Sequence, residues 1–271
     1  FEDEQKVVVA LPGPPRELQP MVQEKLIPYL ADRFGIQSIG CSLTMRFVGI
    51  GESRIDEVTH ENIELPDELM VSSLFELGRV DLTWSLPGDS PEDRARLKAL
   101  EKELLKYIGE YMYSDDGATL EGRVIELLSE RGAQLVTAEA GSGGSIAASL
   151  NHIEDAPRVY AGGYVAPSND VLSDILDLSD LHTSDAPLSA EKWATMTVKR
   201  ICERTGSDWG LAVSELIENQ DGANAVCVAL GTPREGIDTF LVSLRGHGET
   251  GHARLVNRCL DLLRRRLQGI D

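Results

Sequence analysis
The stretch Thr137-Ala138-Glu139-Ala140-Gly141-Ser142-Gly143-Gly144 constrains this chain more than any other, following the apolar pair Leu135-Val136 and preceding Ser145-Ile146-Ala147-Ala148-Ser149-Leu150. The pattern predicts a buried strand, a tight glycine turn and the start of a helix. Gly141, Gly143 and Gly144 allow positive φ and close backbone approach, and the first N–H groups of the following helix favour a negative or polarised oxygen. The same residues would also build an ordinary strand-to-helix connection, so the glycines alone leave both readings open.

The flanking pattern predicts the layers around this turn. Upstream, Thr119 caps a helix whose Leu120, Val124, Leu127 and Leu128 share one face. Downstream come a strand over 159–165, Pro167-Ser168-Asn169 opening a helix, and a helix over 189–204. Strands over 209–214, 223–230 and 238–244 follow, then a closing helix over 250–267 with Leu255, Cys259, Leu262 and Leu263 turned inward. Alternating strands and helices predict a three-layer α/β domain with a mixed sheet over residues 116–271, its ligand site at strand ends beside the glycine turn.

Two smaller units precede it. Residues 39–115 read as a small α+β module in the order β-α-β-β-α. In it Leu43, Met45 and Phe47 alternate with Thr44 and Arg46, Gly49-Ile50-Gly51-Glu52-Ser53 breaks the strand, and Ser90 caps a helix that starts at Pro91. Ser114-Asp115-Asp116-Gly117 reads as a polar linker. Residues 1–38 read as a short strand over 6–11, a rigid Pro12-Gly13-Pro14-Pro15 loop and a helix carrying Leu18, Met21, Val22, Leu26 and Leu30, the last segment of an α/β domain whose beginning lies upstream of residue 1.

Charge excludes some functions. The formal net charge is -19, from 45 acidic against 26 basic residues, which repels phosphate backbones and anionic lipid surfaces. Nucleic acid and membrane are therefore not expected partners, and Arg264-Arg265-Arg266 reads as a cluster complementing a helix dipole. Cys41, Cys202, Cys227 and Cys259 share no metal-ligand spacing, and neither do His247 and His252; reduced buried thiols, a cytoplasmic address, no metal and no cofactor are expected.

Four segments resemble one known family. Ala10-Leu11-Pro12-Gly13-Pro14-Pro15-Arg16-Glu17-Leu18 with Met21 resembles the end of the molybdopterin-binding-like domain of the CinA (competence/damage-inducible) family. Gly49-Ile50-Gly51-Glu52-Ser53 resembles that family's KH-like middle domain. Residues 137–144 are similar to the T-A-E-S-C-T-G-G hallmark of its C-terminal nicotinamide-nucleotide amidase domain, and Gly162-Gly163-Tyr164-Val165-Ala166-Pro167-Ser168-Asn169 is similar to G-G-x-V-x-Y-S-N. The resemblance implies a molybdopterin-binding-like fragment over 1–38, a KH-like domain over 39–115, an amidase-like domain over 116–271, and a homodimer. It also implies a pocket for a small nucleotide such as nicotinamide mononucleotide, with Gly141, Gly143, Gly144, Tyr164, Ser168, Asn169 and Ser214 as ligand-binding residues.

The departures bear on chemistry. Ala140 stands where the family places its serine nucleophile, and a methyl group cannot attack a carboxamide. Pro167 and Leu172 replace a tyrosine and a lysine. The segment from Ser214 and Glu215 to Asp221 and Gly222 sets carboxylates where the family has a glycine-rich loop, and Gly246-His247-Gly248 lacks the family's arginine. Two expectations follow: a domain that has lost amidase activity and serves binding or assembly, or an amidase using Ser142 as nucleophile, Glu139 as base and the N–H groups of Gly143 and Gly144 as oxyanion hole. A third places the chemistry upstream, in a hydrolase site that the Pro12–Glu17 loop alone would not complete. The module over 39–115, with an acid in its glycine loop, reads as a spacer or dimerisation unit rather than an RNA clamp.

Overall fold
A computed structural model describes residues 7–35, 40–178, 188–218, 223–244 and 248–270. The chain opens with helix α1 (Pro15–Met21), a π-helical turn over Val22–Leu26 and helix α2 (Ile27–Phe34). The strand expected over 6–11 is corrected: Val7 makes a lone bridge, and Val8 and Val9 are 69% and 44% exposed. An apolar run becomes a strand only where a sheet edge receives it, and here none does among the described residues.

The next unit is a four-stranded antiparallel sheet. Its elements are β1 (Ser42–Val48), α3 (Glu52–Asn62), β2 (Met70–Glu76), β3 (Arg79–Ser85), α4 (Pro91–Ile108) and, after a 3-10 turn over Gly109–Tyr111, β4 (Met112–Ser114). The strand order is β2-β3-β1-β4. As the alternation predicts, Leu43, Met45 and Phe47 face a core that also holds Val80, Leu82 and Trp84 of β3, covered by Ile55, Leu97 and Leu104 of the helices. Helix α4 starts on a reciprocal capping box, in which Ser90 Oγ accepts from Asp93 N–H and the Asp93 carboxylate accepts from Ser90 N–H. The linker expected from Ser114 begins later, since Ser114 belongs to β4, which pairs with β1.

The largest unit contains α5 (Leu120–Glu130), β5 (Leu135–Glu139), α6 (Ser145–Asn151), α7 (Ala156–Val159), β6 (Tyr160–Val165), α8 (Asn169–Leu176) and α9 (Ala190–Thr205). It continues with β7 (Trp209–Val213), β8 (Ile217–Glu218), β9 (Asn224–Thr232), β10 (Gly236–Ser243) and α10 (Gly248–Gln268). The sheet runs β10-β9-β7-β5-β6, with β5, β6 and β7 parallel and β9 and β10 antiparallel, so it is mixed. Alternate residues feed two cores. Leu135, Leu211, Val213, Val226 and Val228 pack beneath α5, α6 and α10, whereas Val136, Ala138, Ala212, Cys227 and Ala229 pack beneath α8 and α9. Helices cover both faces, giving three layers.

The two sheet units are joined by buried polar contacts. Arg79 donates to Asn257 Oδ1 at 2.9 Å and to both carboxylate oxygens of Glu121, while Asn257 Nδ2 donates to the Leu77 carbonyl at 2.8 Å. Arg264, fully buried, donates to the carbonyls of Glu110 (2.7 Å) and Met112 (3.1 Å) and to Asp261 at 2.6 Å. The basic cluster is therefore not a dipole complement facing water. Its first arginine pins α10 to the segment before β4, and Arg265 and Arg266 pair with Glu110 and Asp238.

Candidate functional site
The parallel strands β5, β6 and β7 end side by side, and the segments that leave them form one rim: residues 140–144, 166–168 and 214–216. Gly141 must be glycine, because a Cβ there would lie 2.5 Å from the Ser214 carbonyl oxygen and 2.7 Å from Val226 Cγ1. That closeness lets Gly141 N–H donate to the Ser214 carbonyl and Ala140 N–H to the Val213 carbonyl, both at 3.0 Å. Gly143 and Gly144 then take φ of 59° and 85°, turning the chain into α6.

Glu139 organises the interior of the turn. Its carboxylate is fully buried and accepts from Ser142 Oγ at 2.7 Å, Ile146 N–H at 3.0 Å and Ala147 N–H at 2.7 Å, so it receives the first N–H groups of α6 as a bound anion would. Ser142 is also fully buried and Ala140 nearly so. Of the two backbone donors expected to form an oxyanion hole, Gly143 N–H is engaged by the Ala140 carbonyl at 3.1 Å.

A hydroxyl pair that the sequence reading missed lies behind the carboxylate. Thr137 Oγ1 is 3.4 Å from Glu139 Oε1 and 2.7 Å from the Tyr160 hydroxyl. Burial pushes the Tyr160 phenol up to about 12, with the nearby Glu139 charge acting in the same direction. Gly163 leaves room for the pair, since a Cβ there would sit 2.5 Å from Thr137 Oγ1 and 2.8 Å from the Tyr160 oxygen. The available signal was Thr137 and Glu139, two polar residues two apart on one buried strand.

The remaining sequence-derived positions form a second group. Asn169 and Glu215 bond reciprocally: Asn169 N–H donates to Glu215 Oε2 at 3.1 Å, and Glu215 N–H to Asn169 Oδ1 at 2.8 Å. The Glu215 carboxylate thus sits on the first turn of α8. Ser168 Oγ caps α8 by accepting from Val171 N–H, and Ser214 Oγ, fully buried, accepts from Cys227 N–H at 2.8 Å. Tyr164 packs toward α8 and α9, on the sheet face opposite Leu135, and is not brought to Glu139. Leu172, at the family's lysine position, is fully buried in the same core. Residues 219–222, Gly246 and His247 lie outside the described residues. What this rim can present to a ligand is backbone, the Ser168 hydroxyl and the Glu215 carboxylate, since Glu139 and the hydroxyls of Ser142 and Ser214 all face inward.

The chain is similar to known proteins over most of its length. A model described as the CinA C-terminal domain matches residues 117–267. The chain is 32% identical over 251 residues to a protein of Symbiobacterium thermophilum described as competence-damage inducible, covering 92% of this chain and 57% of that one. It is 30% identical over 269 residues to a CinA-like protein of a Synechococcus species, covering 96% of this chain and 64% of that one. The chain therefore spans about three fifths of the length of these two relatives. The crystal structure of a CinA superfamily protein from Klebsiella pneumoniae aligns at TM-score 0.48 and 27% identity over 55% of this chain and 96% of that one.

Proposed function
The chain belongs to the CinA family, and we propose that its last domain keeps the frame of a nicotinamide mononucleotide amidase without the chemistry, serving as a binding or assembly domain. The observation that carries this reading is the disposition of the hydroxyl next to the missing nucleophile. Ser142 has no exposed surface and directs its proton into Glu139, where an attacking oxygen would have to face a carboxamide carbon on the open side of the turn. Ala140 offers only a methyl. Glu215 adds a fixed negative charge at the α8 N-terminus, the place a nucleotide phosphate would otherwise occupy.

One observation favours the alternative of an amidase built on Ser142. Its 2.7 Å contact with Glu139 lies within the range of a nucleophile and its base. That reading requires the turn to open so that Ser142 leaves the interior. Ammonia release from nicotinamide mononucleotide decides between the two, measured for the wild-type chain, Ser142→Ala and Ala140→Ser. Absence of turnover in the wild type supports the silent pocket, and activity appearing in Ala140→Ser would locate the loss in the nucleophile alone. Wild-type turnover abolished by Ser142→Ala would overturn the proposal.

A further inference from the structure
Strand β10 ends the larger sheet, and among the described residues no strand pairs with its outer edge. Natural proteins place lysine, proline or a bulge at such an edge to turn away a further strand. The sequence of β10, Gly-Ile-Asp-Thr-Phe-Leu-Val-Ser, has no lysine, arginine or proline, and its register with β9 is unbroken. Leu244 N–H donates to the Asn224 carbonyl at 2.8 Å, one step beyond the directly opposed pair Ser243 and Ala225. Bonded and non-bonded pairs alternate along an antiparallel ladder, so bonding to β9 falls on the even-numbered residues of β10. The N–H and C=O groups of Thr239 and Leu241 therefore point away from the sheet, and Leu241 is 58% exposed.

A groove of about 900 Å³ runs beside this edge, between β10 and α10. Phe240, Val242, Leu255 and Leu262 give it apolar walls, and its described lining includes Arg254, Arg258 and Arg265 but no carboxylate. The three arginines fall at i, i+4 and i+11, one stripe of α10. Helix and strand run in opposite senses, because Arg266 near the end of α10 pairs with Asp238 near the start of β10. The stripe therefore follows the edge. Two acids answer it in part: Glu110 pairs with Arg265, and Asp261 lies 3.3 Å from Arg258 while already held by Arg264 at 2.6 Å. The Arg258 side chain remains 46% exposed.

We propose that this groove binds an acidic peptide in extended form, which adds an antiparallel strand to β10 and sets its carboxylates against the arginines of α10. The spacing agrees. Arg254 and Arg258 are separated by a rise of about 6 Å along the helix, and side chains on one face of a strand recur about every 6.8 Å. Phe240 and Val242 face α10, so peptide residues opposite them carry the acids, and those opposite Thr239 and Leu241 fall on the other face and suit apolar side chains. The open row of N–H and C=O groups selects a peptide over a nucleic acid, whose backbone has no N–H to return. The net charge of -19 repels an anion at a distance, but screening over about 8 Å at physiological salt confines that repulsion, whereas the arginines act at contact. The proposal depends on neither reading of the turn after β5.

The test is fluorescence anisotropy with a labelled peptide of alternating glutamate and valine, eight residues long to match β10, titrated with the purified chain. Saturable binding that weakens as salt is raised is expected, with none for the lysine-valine counterpart. Arg258→Ala should weaken it roughly two- to fivefold, the range of an exposed ion pair. In the antiparallel register the valine N–H groups meet Thr239 and Leu241, so methylating those nitrogens should abolish binding. That control leaves the protein untouched, and an unchanged circular dichroism spectrum would verify that Arg258→Ala is folded. No binding of the glutamate-valine peptide would overturn the proposal. So would full affinity for the methylated peptide, or an Arg258→Ala protein that binds as wild type does. Equal affinity for an oligothymidylate would show that the groove reads charge alone, and would overturn it too. Light scattering on Leu241→Pro covers the remaining occupant: a mass halved by that change would assign the edge to a second copy of the chain instead.

Discussion

The hydroxyl of Ser142 donates to Glu139 Oε2 at 2.7 Å, and neither side chain has exposed surface. With Ile146 and Ala147 N–H on the same carboxylate, this contact ties the glycine turn to the first turn of α6. Ser142→Ala removes one hydrogen bond to a charged acceptor and is expected to lower stability by about 1.5–3 kcal/mol. Glu139→Ala leaves two backbone donors and a hydroxyl buried without an acceptor and is expected to cost more than Ser142→Ala. Chemical denaturation of both variants checks the order, and a Glu139→Ala protein as stable as wild type would remove Glu139 as the organiser of the turn.

Glu215 sits on the first turn of α8 through Asn169 N–H. If its carboxylate opposes an incoming phosphate, Glu215→Gln keeps the shape and removes the charge. The expected gain in affinity for nicotinamide mononucleotide is about tenfold, equivalent to roughly 1.4 kcal/mol. Titration calorimetry on the variant and the wild type reads it directly, and equal affinities would count against the carboxylate as an occupant of the anion position.

Arg264 and Asp261 are both buried against the turn and the first residue of β4 in the four-stranded unit. Truncation by Arg264→Ala strands two carbonyls and leaves the buried Asp261 carboxylate only its longer, 3.3 Å contact with Arg258, a loss that approaches the roughly 3–5 kcal/mol typical of breaking a buried ion pair. At roughly 2–4 °C per kcal/mol for a chain of this size, Tm should fall on the order of 10 °C. Arg265→Ala, whose partner Glu110 is solvent-exposed, should lower it far less. Thermal denaturation followed by circular dichroism compares the two.

All four cysteines are free and buried. Burial pushes the Cys227 thiol up to about 11 and the Cys202 thiol to about 12, and raises Cys259 as well. The folded chain should therefore react negligibly with a maleimide at neutral pH and take up four equivalents once denatured. These thiols and Tyr160 hold their protons more tightly folded than unfolded. Their contribution to stability is complete below about pH 9, the ordinary thiol value, and is lost as pH climbs through the folded values near 11 and 12. Denaturation midpoints should be flat from pH 7 to pH 9 on this account and then fall, and a rise in that range would contradict it.

Local patterns carried the reading a long way. The caps at Ser90 and Thr119 were legible because a capping hydroxyl and the N–H it accepts lie three residues apart, and the period of two in β1 names its buried face outright. Glycine spacing also marked the turn after β5, and Glu139 and Ser142 lie three residues apart. The long-range partners were out of reach. Nothing near Asn169 in the chain announces Glu215, and nothing near Arg264 announces the carbonyls of Glu110 and Met112.

Sequence alone therefore determined the longer helices and strands, their order and the place of the turn, since capping, turn geometry and hydrophobic period act between residues a few positions apart. Tertiary structure alone decided where the polar groups went. Strand β4, three residues long, exists because β1 offers it an edge, while the strand-like run at Val7–Leu11 finds no such edge among the described residues. Ser142 faces inward because burying the Glu139 carboxylate requires donors from every side, and that requirement appears only when β5, α6 and α10 close around it.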